Sequence, residues 1–222
     1  MTCVALIPAR GGSKGIPKKN IKLFHSKPLI YWSIKVALEC KRIDRVIVST
    51  ESEEIANIAR SLSAEVPFLR PKKYATDDSP GIEPVIHLLK KLPNIDDLLL
   101  LQPTSPLRRL KDVEAIFEER LKFKADSAVS ITPSKKNIDL YFSVDENQRI
   151  SSISKNLKIQ PRQKYDKNYC LNGALYLSTR DSILSNRSLI TSNTVGYVMP
   201  EEYSIDIDTP LDWMVAEHLM FK

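Results

Sequence analysis

Cysteine is scarce in this sequence, and the spacing of its few cysteines excludes two kinds of protein. The three cysteines are Cys3, Cys40 and Cys170, and none of them forms a CxxC pair. An odd number of widely separated thiols makes neither a disulfide framework nor a structural zinc site. We therefore expect small buried thiols and a reducing compartment, the cytoplasm.

Long apolar runs are missing as well. No stretch approaches the roughly 20 consecutive apolar residues that a membrane-spanning helix needs, so we expect no membrane partner. The apolar segment 3–8 has no basic leader before it and ends at Pro8. It therefore predicts a first buried strand rather than a signal peptide.

Charge of one sign is only in mild excess. Lysine and arginine number 33 against 27 aspartates and glutamates, which gives a net charge of +6. The chain has no basic stripe with interleaved aromatic residues, so we expect no nucleic-acid partner. A site for an anionic small molecule is the other source of such an excess, and the local sequence favours it.

Apolar segments alternate with amphipathic segments along the 222 residues. Strands are predicted at 3–8, 45–49, 97–102, 127–132 and 173–178, and helices after Pro28, after Ser52, over 82–92, over 110–123 and from Pro210. This alternation predicts an α/β fold with an open, mostly parallel sheet and helices on both faces. The length suits one domain over 1–222.

Two segments depart from the alternation. Residues 134–170 are polar, with short alternating stretches, and predict a small hairpin-rich insertion. Residues 204–208 read Ser-Ile-Asp-Ile-Asp and predict an acidic strand just before the last helix.

A basic, glycine-rich loop follows the first strand, where an open α/β sheet places its ligands. It runs from Pro8 to Asn20 and contains three glycines, which allow backbone N–H groups to approach a phosphate chain closely. Arg10, Lys14 and Lys19 can neutralise that chain. The spacing matches neither GxxxxGK[ST] nor GxGxxG.

Amide side chains stand near two other strand ends. Gln102 ends the apolar run at 98–101 and is followed by a loop that two prolines stiffen, so its amide is expected to face the ligand crevice. Asn172 and Gly173 precede the strand at 173–178. An Asn-Gly pair is equally typical of a simple turn.

Two carboxylates lie two residues apart in the last motif. On an extended segment Asp206 and Asp208 share one face, while Ile205 and Ile207 pack behind them. Such a pair suits Mg²⁺, which binds few carboxylates and also takes phosphate oxygens. The alternative is that Asp208 simply caps the last helix and Asp206 is solvated.

Taken together and in this order, the motifs resemble the acylneuraminate cytidylyltransferase family. The matching segments are IPARGGSKGIPKKN at 7–20, STESEEIA at 49–56, LLQPTSPLR at 100–108, PRQ at 161–163, NGALYL at 172–177 and SIDIDTPLDW at 204–213. The resemblance covers nearly the whole chain. It implies a Rossmann-like nucleotidyltransferase fold and a homodimer, with the insertion at 134–170 reaching toward the partner.

The resemblance also implies a role for each site residue. CTP would be bound by Arg10, Ser13, Lys14, Lys19 and Asn20, and Arg70 and the stretch 77–81, including Ser79, would close over the cytosine and ribose. The pocket for the acidic sugar would be lined by Gln102, Arg162, Asn172 and Tyr176. Asp206 and Asp208 would bind Mg²⁺ or Mn²⁺.

The implied reaction joins CMP from CTP to the anomeric hydroxyl of an acidic nine-carbon sugar and releases pyrophosphate. Arg10 and Lys14 would stabilise the phosphates, and Asp208 would act as metal ligand or as general base. A CMP-Kdo type of synthetase, which uses an eight-carbon acid, and a non-catalytic CTP- or sugar-binding protein of the same fold are the alternatives.

Three departures from the family pattern bear on the site. Glu51 replaces a frequent aspartate, the stretch 133–140 departs from the family's His-Pro-x-Lys-like pattern so that another residue occupies the position of the expected sugar-contacting lysine, and Cys170 stands where an arginine is frequent. The last two changes remove donors from the sugar side. They predict a deoxygenated sugar, such as a diacetamido legionaminate, over N-acetylneuraminate.

Overall fold

A six-stranded sheet forms the centre of the molecule. The computed structural model describes residues 1–155, 159–161 and 165–220. In chain order the elements are β1 Cys3–Pro8, β2 Leu23–Phe24, β3 Lys27–Pro28, α1 Leu29–Glu39, β4 Arg45–Ser49, α2 Glu53–Ser61, α3 Glu83–Lys91, β5 Asp97–Leu101, α4 Leu110–Lys122, β6 Ser127–Pro133, β7 Phe142–Val144, β8 Ile150–Ser152, β9 Tyr169–Thr179, α5 Arg180–Asn186, β10 Thr194–Val198 and α6 Pro210–Met220.

The strand order in the sheet is β10-β6-β9-β5-β1-β4. β1 pairs in parallel with β4 and β5, and β10 pairs in parallel with β6. β9 is antiparallel to both of its neighbours, β5 and β6. The predicted open, mostly parallel sheet is therefore confirmed, with one reversed strand inside it.

Both faces of the sheet are covered, as predicted. Along β1, Ala5 and Ile7 pack on the side of α1, α2 and α4, whereas Val4 and Leu6 pack on the side of α3 and α5. The leucines of β5 alternate between the same two clusters. Strands buried on both faces are near-continuous apolar runs, which is why these two were recognisable in the sequence.

The helices begin where capping chemistry favours a start. Ser52 accepts a hydrogen bond from the backbone N–H of Ile55 at 3.4 Å and caps α2, as predicted. At α6, Thr209 accepts from Asp212 N at 3.2 Å while the Asp212 carboxylate accepts from Thr209 N at 2.8 Å, a reciprocal capping box. Within the described residues, no helix is long and apolar enough to cross a membrane.

The strand directions bring several loops to one edge of the sheet. β1, β4 and β5 are parallel, so the residues after Pro8, Ser49 and Leu101 meet there. Because β9 runs the opposite way, with Leu175 paired to Leu101, its early residues reach the same edge. Here Gly173 adopts a φ of +74°, a left-handed conformation that suits glycine.

The polar insertion carries the expected hairpin. β7 and β8 pair in an antiparallel two-stranded sheet, separate from the central one. Large apolar side chains are exposed across the insertion and the adjoining start of β9: Ile138, Leu140, Tyr141, Val144, Ile150, Ile153, Ile159, Tyr169 and Leu171. We call these nine residues the insertion surface.

The prediction of a strand over 204–208 is wrong. Within the described parts of the chain the segment pairs with no strand, and loops hold it in place instead: Ile207 N donates to Thr104 O at 2.8 Å, and Lys19 Nζ donates to Ile207 O at 2.7 Å. Of its residues only Ile207 is buried and only Asp208 is exposed, whereas Ser204, Ile205 and Asp206 are half-buried, so the alternation in the sequence does not mark two faces of a strand. The edge strand β10 and helix α5 were not predicted from the sequence.

Candidate functional site

A cavity of about 540 Å³ opens at this edge of the sheet. It lies between the basic loop, the Gln102 loop and the segment from Tyr74 to Gly81. Nine of the residues expected in the site line it: Arg10, Ser13, Lys14, Lys19, Asn20, Arg70, Ser79, Gln102 and Asp208. The structure thus brings together in one cavity residues that lie far apart in the sequence.

The basic loop is fixed by contacts made through its backbone. Asn20 Nδ2 donates to Arg10 O at 2.9 Å, and Gly11 N donates to Glu51 Oε1 at 2.6 Å. Gly15 lies so close to the metal-motif segment that a Cβ placed on it would be 2.3 Å from Asp208 O. The loop is therefore a shaped element with its position set against Glu51 and Asp208.

Glu51 also holds Arg70. The two form an ion pair at 3.0 Å, with only 4% of the Arg70 side chain and 15% of the Glu51 side chain exposed. Arg70 N donates to Thr50 O at 2.8 Å. Sequence reasoning noted Glu51 only as a departure from a family pattern, whereas the structure makes it the link between the basic loop and Arg70.

Asp77 lines the cavity and faces the basic loop. Its carboxylate pairs with Arg10 Nη2 at 2.7 Å and with Lys14 Nζ at 2.9 Å. Hydrogen bonds from Lys14 and then from Arg10 lower the pKa of Asp77, so the group is ionised at neutral pH. Ser79 donates to Lys73 O at 2.7 Å, which shapes the same segment.

The aromatic ring of Tyr74, at the start of this segment, contacts α3. The His87 ring of α3 lies 5.6 Å from the Tyr74 ring and 5.1 Å, edge to face, from the Phe68 ring. Burial lowers the pKa of His87, and the positive charges of Lys91, Arg70 and Lys73 lower it further. The neutral imidazole is therefore the form that supports the segment at neutral pH.

Lys19 joins the basic loop to the acidic motif. Its ammonium donates to Asp208 Oδ1 at 2.9 Å, and the lysine side chain is only 13% exposed whereas that of Asp208 is 73% exposed. Thr209 and Asp212 cap α6, so the alternative in which Asp208 is merely the helix cap is wrong. The Asp208 carboxylate faces the cavity instead.

Asp206 is half-buried and lies against Gly173. A Cβ placed on Gly173 would be 3.3 Å from Asp206 Oδ2 and 3.5 Å from Gln102 Oε1, so three strand-end motifs converge here. Burial raises the pKa of Asp206, a hydrogen bond with Thr104 lowers it, and the charge of Asp208 raises it again. Its Oδ1 is buried and has no hydrogen-bond partner among the residues that the structure describes.

This arrangement fits a hard cation. The negative charges of Asp206 and Asp208 repel each other unless a cation lies between the two carboxylates. The unpartnered Asp206 Oδ1 is an oxygen ligand of the kind that Mg²⁺ prefers. Among the described residues, no group of three or more His, Cys, Asp or Glu side chains gathers into a larger metal centre. A cation here would therefore take its other ligands from water and phosphate.

The residues expected on the sugar side are placed less uniformly. Asn172 is buried and turned inward: its Oδ1 accepts from Ser130 Oγ at 2.6 Å, and its Nδ2 donates to Ser204 Oγ at 2.9 Å. Tyr176 is half-buried on β9, where burial and then the charge of Asp206 raise its pKa. Arg162 lies outside the described residues.

Arg108 is a site residue that sequence reasoning missed. It is fully buried and donates to Ala174 O, Ser33 Oγ and Gln102 O. Burial lowers its pKa to about 9, and the charge of Asp206 opposes that shift. Arg108 therefore fastens the Gln102 loop to β9 and α1, and it supplies a positive charge near Asp206.

Comparison with known proteins points to one family. Residues 4–218 match the family model described as cytidylyltransferase. The chain is 37% identical to CMP-N,N'-diacetyllegionaminic acid synthase of Legionella pneumophila, over 99% of this chain and 97% of that protein. It is 33% identical to N-acylneuraminate cytidylyltransferase of Escherichia coli O18:K1:H7, over 96% of this chain but only 51% of that longer protein.

Solved structures share the fold. CMP:2-keto-3-deoxy-manno-octonic acid synthetase, solved in complex with CTP, superposes with a TM-score of 0.77 at 19% identity, over 100% of this chain and 99% of the other. The likeness at this identity concerns the arrangement of strands and helices.

Proposed function

Because the chain belongs to the cytidylyltransferase family, we propose that it transfers CMP from CTP to the anomeric hydroxyl of an acidic nine-carbon sugar and releases pyrophosphate. One observation carries the proposal. The cations Arg10, Lys14 and Lys19 line the same cavity as Gln102 and Asp208, at the edge of the sheet where parallel strands end. The names of the relatives in Legionella and Escherichia coli support the same reaction.

CTP binds, on this proposal, with its phosphates along the basic loop. Arg10 and Lys14 reach into the cavity from one side and Lys19 from another, so charge on the triphosphate and on the departing pyrophosphate is neutralised. Ser13 and Asn20 line the same stretch, and Asn20 also keeps Arg10 in place through its carbonyl. Arg70 and Ser79 border the end left for the nucleoside.

Asp206 and Asp208 are proposed to hold Mg²⁺ or Mn²⁺. The bound cation would supply Lewis-acid stabilisation of negative charge on the phosphates. Gly15 and Lys19 keep Asp208 in position, and Gly173 gives Asp206 the space it needs. The attacking hydroxyl loses its proton during transfer, and Asp208 is the carboxylate placed to accept it, since it is exposed to the cavity.

The sugar is proposed to lie beside Gln102, with Tyr176 and Arg162 as further contacts. Asn172 supports this side indirectly, because it fixes Ser204 two residues before Asp206. Cys170 is exposed near the insertion and provides no strong donor there. Together with the 37% identity to the Legionella protein, this favours a diacetamido legionaminate type of sugar over N-acetylneuraminate.

A homodimer is proposed through the insertion surface. Nine exposed large apolar side chains within one polar insertion and the adjoining start of β9 form the kind of surface that marks a protein contact. A cytoplasmic location is proposed as well, since the three thiols are unpaired.

The test is pyrophosphate release from CTP over a panel of acidic sugars. The panel contains N-acetylneuraminate, N,N'-diacetyllegionaminate and Kdo, each at fixed Mg²⁺. Turnover with a nine-carbon acid, and about tenfold higher kcat/KM for the legionaminate than for N-acetylneuraminate, is expected. Turnover with Kdo alone would show that the substrate is an eight-carbon acid and not a nine-carbon acid. Binding of CTP without release of pyrophosphate would show that the chain is a non-catalytic binding protein.

A further inference from the structure

The cations of the cavity are already paired with carboxylates of the protein itself. Within the described part of the chain, Arg10 and Lys14 share the Asp77 carboxylate, Lys19 pairs with Asp208, and Arg70 pairs with Glu51. A triphosphate that enters this cavity must therefore exchange places with carboxylates that these cations already hold.

The three carboxylates are not equally replaceable. The Glu51 side chain is only 15% exposed and also accepts a hydrogen bond from the backbone N–H of Gly11, so its departure would release the basic loop. Gly15 packs against the backbone carbonyl of Asp208 and restricts the movement of that residue, which also belongs to the proposed metal-binding pair. Asp77 is 40% exposed and lies on an irregular segment outside the sheet, so it can swing into water at little cost.

We propose that Asp77 is an internal competitor of the phosphate chain, which occupies the Arg10–Lys14 pair in the empty enzyme, yields it to CTP and reclaims it when pyrophosphate leaves. The proposal rests on the proposed function, because it takes the triphosphate to lie between these two cations. Asp77 then lowers the affinity for CTP and for pyrophosphate alike. The residue sets how readily the product departs, in addition to how the substrate binds.

The proposal predicts that removing a carboxylate from the site strengthens binding. Asp77→Asn keeps the shape of the side chain and removes its charge. Two exposed ion pairs are worth little each, so we expect tripolyphosphate and CTP to bind about three- to tenfold more tightly. Pyrophosphate should inhibit the forward reaction at a correspondingly lower concentration.

A matched control is available at the first turn of α2, beside the basic loop. Glu54 pairs with Lys18 at 2.9 Å, and both side chains are more than half exposed, but Lys18 is not among the residues lining the cavity. Glu54→Gln therefore removes one negative charge beside the basic loop without freeing a cation of the cavity. We expect its affinities for tripolyphosphate and CTP to equal those of the wild type.

Isothermal titration of the full chain, without divalent metal, separates the outcomes. Binding of tripolyphosphate tests the contacts of the phosphate chain alone, whereas binding of CTP also tests contacts of the nucleoside with the segment that carries Tyr74 and Ser79. Thermal melts confirm that the variants are folded. Tighter binding of both ligands to Asp77→Asn alone supports the proposal. Unchanged or weaker binding of tripolyphosphate overturns it, as does an equal gain in Glu54→Gln. If the wild type binds neither ligand, even when the titration is repeated with Mg²⁺, the proposed function itself fails.

Discussion

The contact between Gly15 and the backbone of Asp208 gives the sharpest prediction. A methyl group at position 15 would lie 2.3 Å from Asp208 O, while ordinary contact begins at about 3.4 Å. The obstructing atom is backbone, so no side chain can rotate away. Gly15→Ala must therefore separate the basic loop from the segment that carries Asp208, by about 1 Å.

Such a separation acts on the reaction more than on the fold. A misplacement of about 1 Å among reacting groups can cost about 100-fold in rate. We expect kcat for pyrophosphate release to fall by about that factor in Gly15→Ala, with saturating CTP and sugar. The melting temperature should change less than the rate, because the two core clusters on the faces of the sheet are untouched and only the smaller cluster that holds Ile16 and Ile207 adjoins the contact.

Gly12→Ala is the control for loss of glycine flexibility in the same loop. A Cβ at Gly12 meets no described protein atom within 4 Å, so the loop keeps its position and kcat at saturating CTP should stay within about twofold of the wild type, while any contact of the new methyl group with the phosphates raises the KM for CTP instead. Wild-type kcat in Gly15→Ala would refute the reasoning. An equal loss of kcat in both variants would show that flexibility, and not the contact with Asp208, controls turnover.

Three further outcomes are expected. Asp208→Asn should lower kcat by about 100-fold or more at saturating Mg²⁺ with an unchanged melting temperature, since Thr209 and Asp212 cap α6; wild-type turnover would contradict the metal assignment. Lys14→Ala should raise the KM for CTP about tenfold and leave the KM for the sugar near its wild-type value, and a rise in the sugar KM alone would assign the loop to the other substrate. Burial lowers the pKa of His87 in the folded state, so the unfolded chain binds that proton more readily and the free energy of unfolding should fall as the pH drops below about 6.5. Urea titrations at pH 5 and pH 7.5 should show a smaller fall in His87→Gln, and an equal fall in both proteins would mean that other groups carry the effect.

The sequence predicts the strands that are buried on both faces. β1 and β5 are almost entirely apolar, and each ends at a loop whose cations or amide reach the cavity. β10 escapes such reasoning because it is an edge strand with Gly196 in its middle and side chains that are only partly buried, so it forms no continuous apolar run. The segment 204–208 misleads for the opposite reason, since its alternation arises from loop contacts and not from strand pairing.

The charged partners of the site are beyond a reading of the sequence. Arg10, Lys14 and Lys19 are recognisable because they share one loop, but Asp77 and Glu51 reach them from distant segments. Their pairing depends on distances that only the folded sheet edge sets. Asn172 shows the same limit: its motif is recognisable, but the direction of its amide, inward to Ser130 and Ser204, follows from the packing around β9.

The position of β9 in the sheet bears on how the chain reaches its native state. β9 lies between β5 and β6, although it is made long after both. As the chain leaves the ribosome, the leucine-rich edge of β5 therefore has no partner on that side until residues 169–179 arrive. Unpaired apolar edges associate with one another, so we expect insertion of this late strand to be the slow step in folding and the stage most exposed to aggregation. A nascent chain stalled before residue 169 would be the species that chaperones retain.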